Sequence, residues 1–177
     1  MLGDGAGSFI LQTSFPVDDY PYGVAVADLN GDGNMDIVTT TYRTASVLLS
    51  DGAGNFTKTS FPAGADPYDV AVADLKRDGN MDTVTANFDD GTVSILFGNG
   101  TGSFGLPTYF SVGSNPYDVA VVDLNRDGNM DTVTANYGDD AVSILFGNGT
   151  GKLWSTDQLL LLVWQLQILI KMAIWTS

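Results

Sequence analysis

Residues 22–40 read YGVAVADLNGDGNMDIVTT, and the same string returns twice along the chain, as YDVAVADLKRDGNMDTVTA from Tyr68 and YDVAVVDLNRDGNMDTVTA from Tyr117. Asp28, Asp74 and Asp123 open the three polar loops, 46 residues separating the first pair and 49 the second. A fixed period of this length marks a repeat architecture and takes precedence over any local assignment. Each string sets a short run of Val, Ala, Ile and Thr on either side of an Asp-Gly-Asn cluster. That is the pattern of two strands joined by a tight polar loop.

Working outward, each unit continues into a second apolar stretch: SVLLSDGAGNF from Ser46, VSILFGNGTGSF from Val93 and VSILFGNGTGKL from Val142. A Pro-containing link then leads to the next unit. In the second unit the pattern predicts strands near 69–73, 83–87, 93–97 and 106–111, and nothing before residue 158 reads as helical. Four antiparallel strands in a repeat of this size describe a blade of an all-β propeller. The D-G-A-G-N-F and G-N-G-T-G-S-F segments have a phosphate-loop composition, but they lie between strands and read as hairpin turns.

The first loop carries oxygen side chains at positions 1, 3, 5 and 9: Asp28, Asn30, Asp32 and Asp36. Asn34 at position 7 can offer its carbonyl, and Gly33 at position 6 suits a sharp turn at positive φ. A hard cation such as Ca²⁺ takes about six to eight oxygens, and a looping backbone can aim alternate groups inward to supply them. An EF-hand needs a Glu at position 12, where this chain has Thr39, Thr85 and Thr134, so the loop is a strand-flanked one. A plain polar hairpin turn is the competing reading, since Asp, Asn and Gly favour turns for local reasons. Three copies holding Asp at positions 1, 5 and 9 favour the metal. The second copy has Lys76 at position 3, which cannot coordinate, so that site is expected to be the weakest. In the third, Arg126 at position 4 is expected to point to solvent.

Acidic residues outnumber basic ones 21 to 7, a formal charge of −14, and this repels nucleic acid and anionic membranes alike. The chain has no Cys and no His, which removes thiol nucleophiles, disulfides and imidazole bases together. The expectation is a non-catalytic protein. Tyr22, Tyr68 and Tyr117 recur at equivalent places, where packing between blades competes with lining a ligand face. Asp89-Asp90 and Asp139-Asp140 read as solvated turn charge.

The D-x-N-x-D-G-x-x-D loop between strands, the Phe97-Gly98 and Phe146-Gly147 pairs and the period together resemble the FG-GAP family, including its VCBS-type repeats. Integrin α-subunit propellers belong to the same group. The resemblance covers residues 1 to about 153. It implies calcium as cofactor and an extracellular or cell-surface role in adhesion or recognition of protein or carbohydrate. By position, the implied ligands are Asp28, Asn30, Asp32, Asn34 (carbonyl) and Asp36; Asp74, Asp78, Asn80 (carbonyl) and Asp82; and Asp123, Asn125, Asp127, Asn129 (carbonyl) and Asp131. The family's GAP triplet is replaced by Pro-Tyr-Gly at Pro21 and Pro-Tyr-Asp at Pro67 and Pro116. The alternative is an accessory propeller module of a larger secreted enzyme, such as one that degrades polysaccharide.

The units are expected at about 21–66, 67–115 and 116–153, with residues 1–20 as the end of a preceding blade, because MLGDGAGSF matches LLSDGAGNF from Leu48. No signal peptide is legible at the start. Three to four blades fall short of ordinary propeller closure, so open edges and self-association are expected. Residues 154–177 break the repeat as an irregular or helical apolar tail. The codons that residues 164–177 permit, read one nucleotide earlier, can spell V-A-V-A-D-L-N-K-D-G-N-M-D-I. The tail thus reads as the frameshifted remnant of a further blade, with a membrane anchor as the other reading.

Overall fold

Residues 13–155 are described in a computed structural model, so the opening MLGDGAGSF and all of the tail beyond residue 155 lie outside the described residues. The first unit forms β1 (Val24–Ala27), β2 (Asp36–Thr41), β3 (Thr44–Ser50) and β4 (Phe56–Pro62). The second forms β5 (Pro67–Ala73), β6 (Asp82–Asn87), β7 (Thr92–Leu96) and β8 (Thr108–Ser111). The third forms β9 (Pro116–Val122), β10 (Asp131–Asn136), β11 (Ala141–Gly147) and β12 (Leu153–Ser155). Each set pairs in chain order into one antiparallel four-stranded sheet, and the three sheets are open. There is no helix among the described residues. The third sheet's last strand runs through Trp154 and Ser155, which pair with Phe146 and Leu145, beyond the expected end of the repeat at 153.

The sheets stack face to face, because alternating Val, Ala and Thr give each one two faces to bury. Between the first and second sheets lie Leu29, Val38, Ala45, Val47, Val70 and Leu96. Between the second and third lie Leu75, Val84, Ala86, Val93, Ile95, Val119, Leu145 and Leu153. Being covered on both sides, β6 is buried at all six residues, whereas Ala135 in β10 of the outer sheet is exposed. The first strands β1, β5 and β9 pack side by side, as the innermost strands of successive propeller blades do. Each therefore carries a polar loop at its C-terminal end and a Tyr-containing link at its N-terminal end.

Candidate functional site

The loops following β1, β5 and β9 fold alike, down to individual hydrogen bonds. At position 1 the Oδ2 of Asp28, Asp74 and Asp123 accepts the position-6 N–H of Gly33, Gly79 and Gly128 at 2.9, 2.8 and 3.0 Å. The Oδ1 atoms accept the position-5 N–H at 3.2, 3.1 and 3.2 Å. At position 5, Asp32, Asp78 and Asp127 each accept the N–H of the Asn at position 7. Gly33, Gly79 and Gly128 all sit near φ +84 to +85°, a region where a side chain is strained. The backbone N–H groups lower the Asp28 carboxyl below its ordinary range, Gly33 foremost. Asp127 is lowered chiefly by Asn129 N–H.

Position 9 has a different setting. Asp36, Asp82 and Asp131 are wholly buried, and each bridges two backbone N–H groups across the sheet. The partners are Leu29 and Ser50 for Asp36, Leu75 and Gly98 for Asp82, and Leu124 and Gly147 for Asp131, all between 2.8 and 3.0 Å. Burial pushes the Asp82 carboxyl up to about 6, against the opposing pull of Gly98 N–H and the Lys76 ammonium. The same contact explains the Phe-Gly pairs. A Cβ on Gly98 or Gly147 would collide with the carbonyl oxygen of Met81 or Met130, at position 8 of the loop, so glycine alone lets the third strand pass.

The donor types of the outer loops suit a hard cation, since every candidate group there is a carboxylate, amide or carbonyl oxygen. Among the described residues no group of three or more carboxylates stands at metal-holding distance. The carboxylates of positions 1 and 5 are engaged with their own loop backbone, while those of position 9 are drawn into the sheet. The middle loop also carries its own cation: Lys76 Nζ lies 2.7 Å from Asp78 Oδ2. Arg126 is exposed at φ +62°.

At the opposite end of the inner strands, aromatic rings bridge the sheets. Tyr22 stacks on Tyr68 at 4.6 Å between centroids and 7° between planes, and Tyr68 meets Phe88 at 4.6 Å and Tyr117 at 5.0 Å. Tyr22 and Tyr117 nevertheless stay half exposed. The three tyrosines serve both uses that the sequence left open, packing between blades and lining a surface. With Gly23, Asp69 and Asp118 they line a cleft of about 330 Å³. Burial raises the Asp69 carboxyl above its ordinary range, and its hydrogen bond to Asp118 adds to the rise.

The acidic turn pairs are not merely solvated. Asp90 Oδ2 accepts Ala65 N–H at 2.7 Å and Asp139 Oδ2 accepts Ser114 N–H at 2.5 Å, each pinning the preceding link to the turn. The spacing between Ala65 and Asp90 carries no local signal for this pairing. By contrast, the Asp51, Asn99 and Asn148 turns are hairpins held by their own side chains, as the sequence predicts.

Compared with known families, residues 1–39, 28–85 and 76–134 match the FG-GAP-like repeat. The chain belongs to the FG-GAP-like repeat family. Each of its three matches ends within the second strand of a sheet, β2, β6 or β10, and the glycine of the Phe-Gly pair is the residue that lies over the loop carbonyl. A search of the curated proteins finds no match. Among solved structures, this FG-GAP chain is similar to an Agrocybe aegerita lectin described for specific recognition of non-reducing terminal N-acetylglucosamine, with a TM-score of 0.51 and 24% identity. The alignment covers 73% of this chain and 36% of the lectin, so the chain spans about a third of that protein's length. The likeness is one of fold: stacked antiparallel blades.

Proposed function

We propose that this chain is a non-catalytic recognition module of an extracellular or cell-surface protein, its blades ordered by calcium and its ligand a carbohydrate or protein. The observation that carries the calcium reading is the loop network repeated three times: position-1 and position-5 carboxylates pre-set by backbone N–H donors, with no lysine or arginine of their own loop paired to them in the outer two copies. In those loops Asp28, Asn30, Asp32, Asn34 and Asp36, and Asp123, Asn125, Asp127, Asn129 and Asp131, are the groups that would hold the ion. Calcium would supply charge neutralisation there, and the side chains would orient the turn.

The recognition reading draws on the aromatic cleft. Half-exposed Tyr22 and Tyr117 offer flat apolar faces for a sugar ring or a side chain, and Asp118 offers hydrogen-bond acceptors. The similarity to a lectin fold supports a saccharide as the first ligand class to try. With neither His nor Cys in the chain, no catalytic role is assigned.

The test is thermal unfolding of the full chain after chelator treatment, with calcium added back. At free calcium one hundred times Kd, each site adds about 2.7 kcal/mol to folding. Asp32→Ala and Asp127→Ala should each reduce the calcium-induced rise in Tm. An unchanged rise in both would overturn the ligand assignment.

A further inference from the structure

The three loops are near copies that differ only at positions 3 and 4, and position 4 is Arg in both the second and the third. In the outer loops an amide stands there, and Asn30 Nδ2 and Asn125 Nδ2 donate to the position-5 carboxylates of Asp32 and Asp127 at 2.9 and 3.0 Å. In the middle loop Lys76 makes the same connection with a charged group, its ammonium lying 2.7 Å from Asp78 Oδ2. The ammonium also donates to the Gly98 carbonyl at 3.4 Å and sits 5.2 Å from the centre of the Phe97 ring. Gly98 is the residue whose N–H binds Asp82 at position 9, so the one ammonium joins position 5 to the backbone that holds position 9. Its stem is held as well. A Cβ on Gly151, in the next sheet's hairpin, would come within 3.2 Å of Lys76 Cγ. The side chain is thus packed between two blades rather than free in solvent.

We propose that Lys76 is a tethered cation that takes the place of calcium in the middle loop, so that the chain binds two calcium ions and keeps its central blade ordered without metal. The inference rests on the calcium reading of the outer loops. A covalently attached ammonium is present at every calcium concentration, and its hydrogen bonds to Asp78 and Gly98 supply the cross-link that an ion would otherwise make. A dication entering this loop would meet a like charge at close range, and displacing the ammonium would break its ion pair and its contact with Phe97. The blade so treated is the one covered on both faces, with β6 buried throughout. Calcium then acts on the outer blades while the inner one stays fixed.

The test is titration calorimetry of the full chain, stripped of metal and titrated with calcium, with Lys76→Asn and Asn125→Lys beside the wild type. The expected result is two sites in the wild type, three in Lys76→Asn, and one in Asn125→Lys. In chelator, Lys76→Asn should melt below the wild type and recover on adding calcium. Three comparable sites in the wild type would overturn the inference while leaving the calcium reading intact. Absence of binding in both the wild type and Lys76→Asn would overturn both. Should Lys76→Asn fail to fold, Asn125→Lys decides: one remaining site upholds the tethered cation, and two overturn it.

Discussion

Asp82→Ala separates the structural carboxylates from the exposed ones. Asp82 is wholly buried, and its two oxygens accept Leu75 N–H at 3.0 Å and Gly98 N–H at 2.9 Å. Alanine leaves both buried donors without a partner, at about 1–3 kcal/mol each, or roughly 2–6 kcal/mol together. Part of that is returned, because burial opposes the charge itself, as the carboxyl's rise to about 6 shows. The net loss expected at neutral pH is about 2–4 kcal/mol, a large share of the roughly 5–15 kcal/mol that holds a domain folded. In urea with chelator present, followed by circular dichroism, the midpoint should fall by about 1–2 M. The pH dependence has a definite sign. A folded pKa above the unfolded value near 3.9 means that the Asp82 contribution is fully present below that value and declines as pH rises through about 6. The gap between wild type and variant should therefore be wider at pH 5 than at pH 7. Asp32→Ala, in an exposed turn, should cost under about 1 kcal/mol in the same chelator conditions. A loss below about 0.5 kcal/mol for Asp82→Ala would refute the view that position 9 fastens the loop to the sheet.

Thr83 and Thr132 stand at equivalent places with buried hydroxyls that have no hydrogen-bond partner, where the first unit has Ile37. Thr83→Val and Thr132→Val should each stabilise by about 1 kcal/mol in denaturant melts, and destabilisation by either would mean that the hydroxyl is satisfied in solution. Gly98→Ala should cost about 1–3 kcal/mol through collision with Met81, whereas Gly105→Ala, whose nearest neighbour would lie 3.9 Å away, should cost little; equal costs would contradict the packing account. Asp18 is held well below the usual carboxylate range, first by Lys58 and then by Ser60, Thr44 and Ser46. Asp18→Asn should lower stability at pH 7 by roughly 1 kcal/mol, and because the folded pKa is depressed the difference should shrink as pH falls below about 4. A difference independent of pH would remove the carboxylate from the explanation.

The blades were legible because three copies share one period, and the strands expected at 69–73, 83–87 and 93–97 match β5 to β7 to within two residues at each end. The fourth was expected from 106 and begins at Thr108, since Gly98 and Phe104 pair only as an isolated bridge before it. Loop position 6 was legible too, because the chain must turn sharply there and glycine takes a left-handed turn without strain, and φ near +84° is found in each copy. Spacing alone does not distinguish an aspartate aimed outward from one turned into the sheet. Position 9 alternates with positions 1 and 5 in the string, yet its carboxylate is buried on N–H groups from a strand about fifteen residues away, such as Ser50 for Asp36. Asp90 and Asp139 were hidden for the same reason. Their partners, Ala65 and Ser114, lie 25 residues earlier, and a solvated pair and a capping pair have the same local sequence.

A net charge of −14 suggests a molecule under uniform self-repulsion, but the carboxylates of its loops and turns include three physically different settings. Those of position 9 are bound both to their own loop and to the backbone at the end of the third strand, so they serve as connectors within each blade. Asp90 and Asp139 fasten links to turns and spend their charge on N–H dipoles. The exposed position-1 and position-5 pairs of the outer loops lie on short turns with backbone donors but no lysine of their own. It is there that added positive charge has the most to stabilise, and the middle loop shows the chain meeting the same need with a side chain. On the proposed calcium reading, moving one lysine between these turns would convert a metal-responsive blade into an insensitive one, with position 3 as the residue that decides each repeat's response.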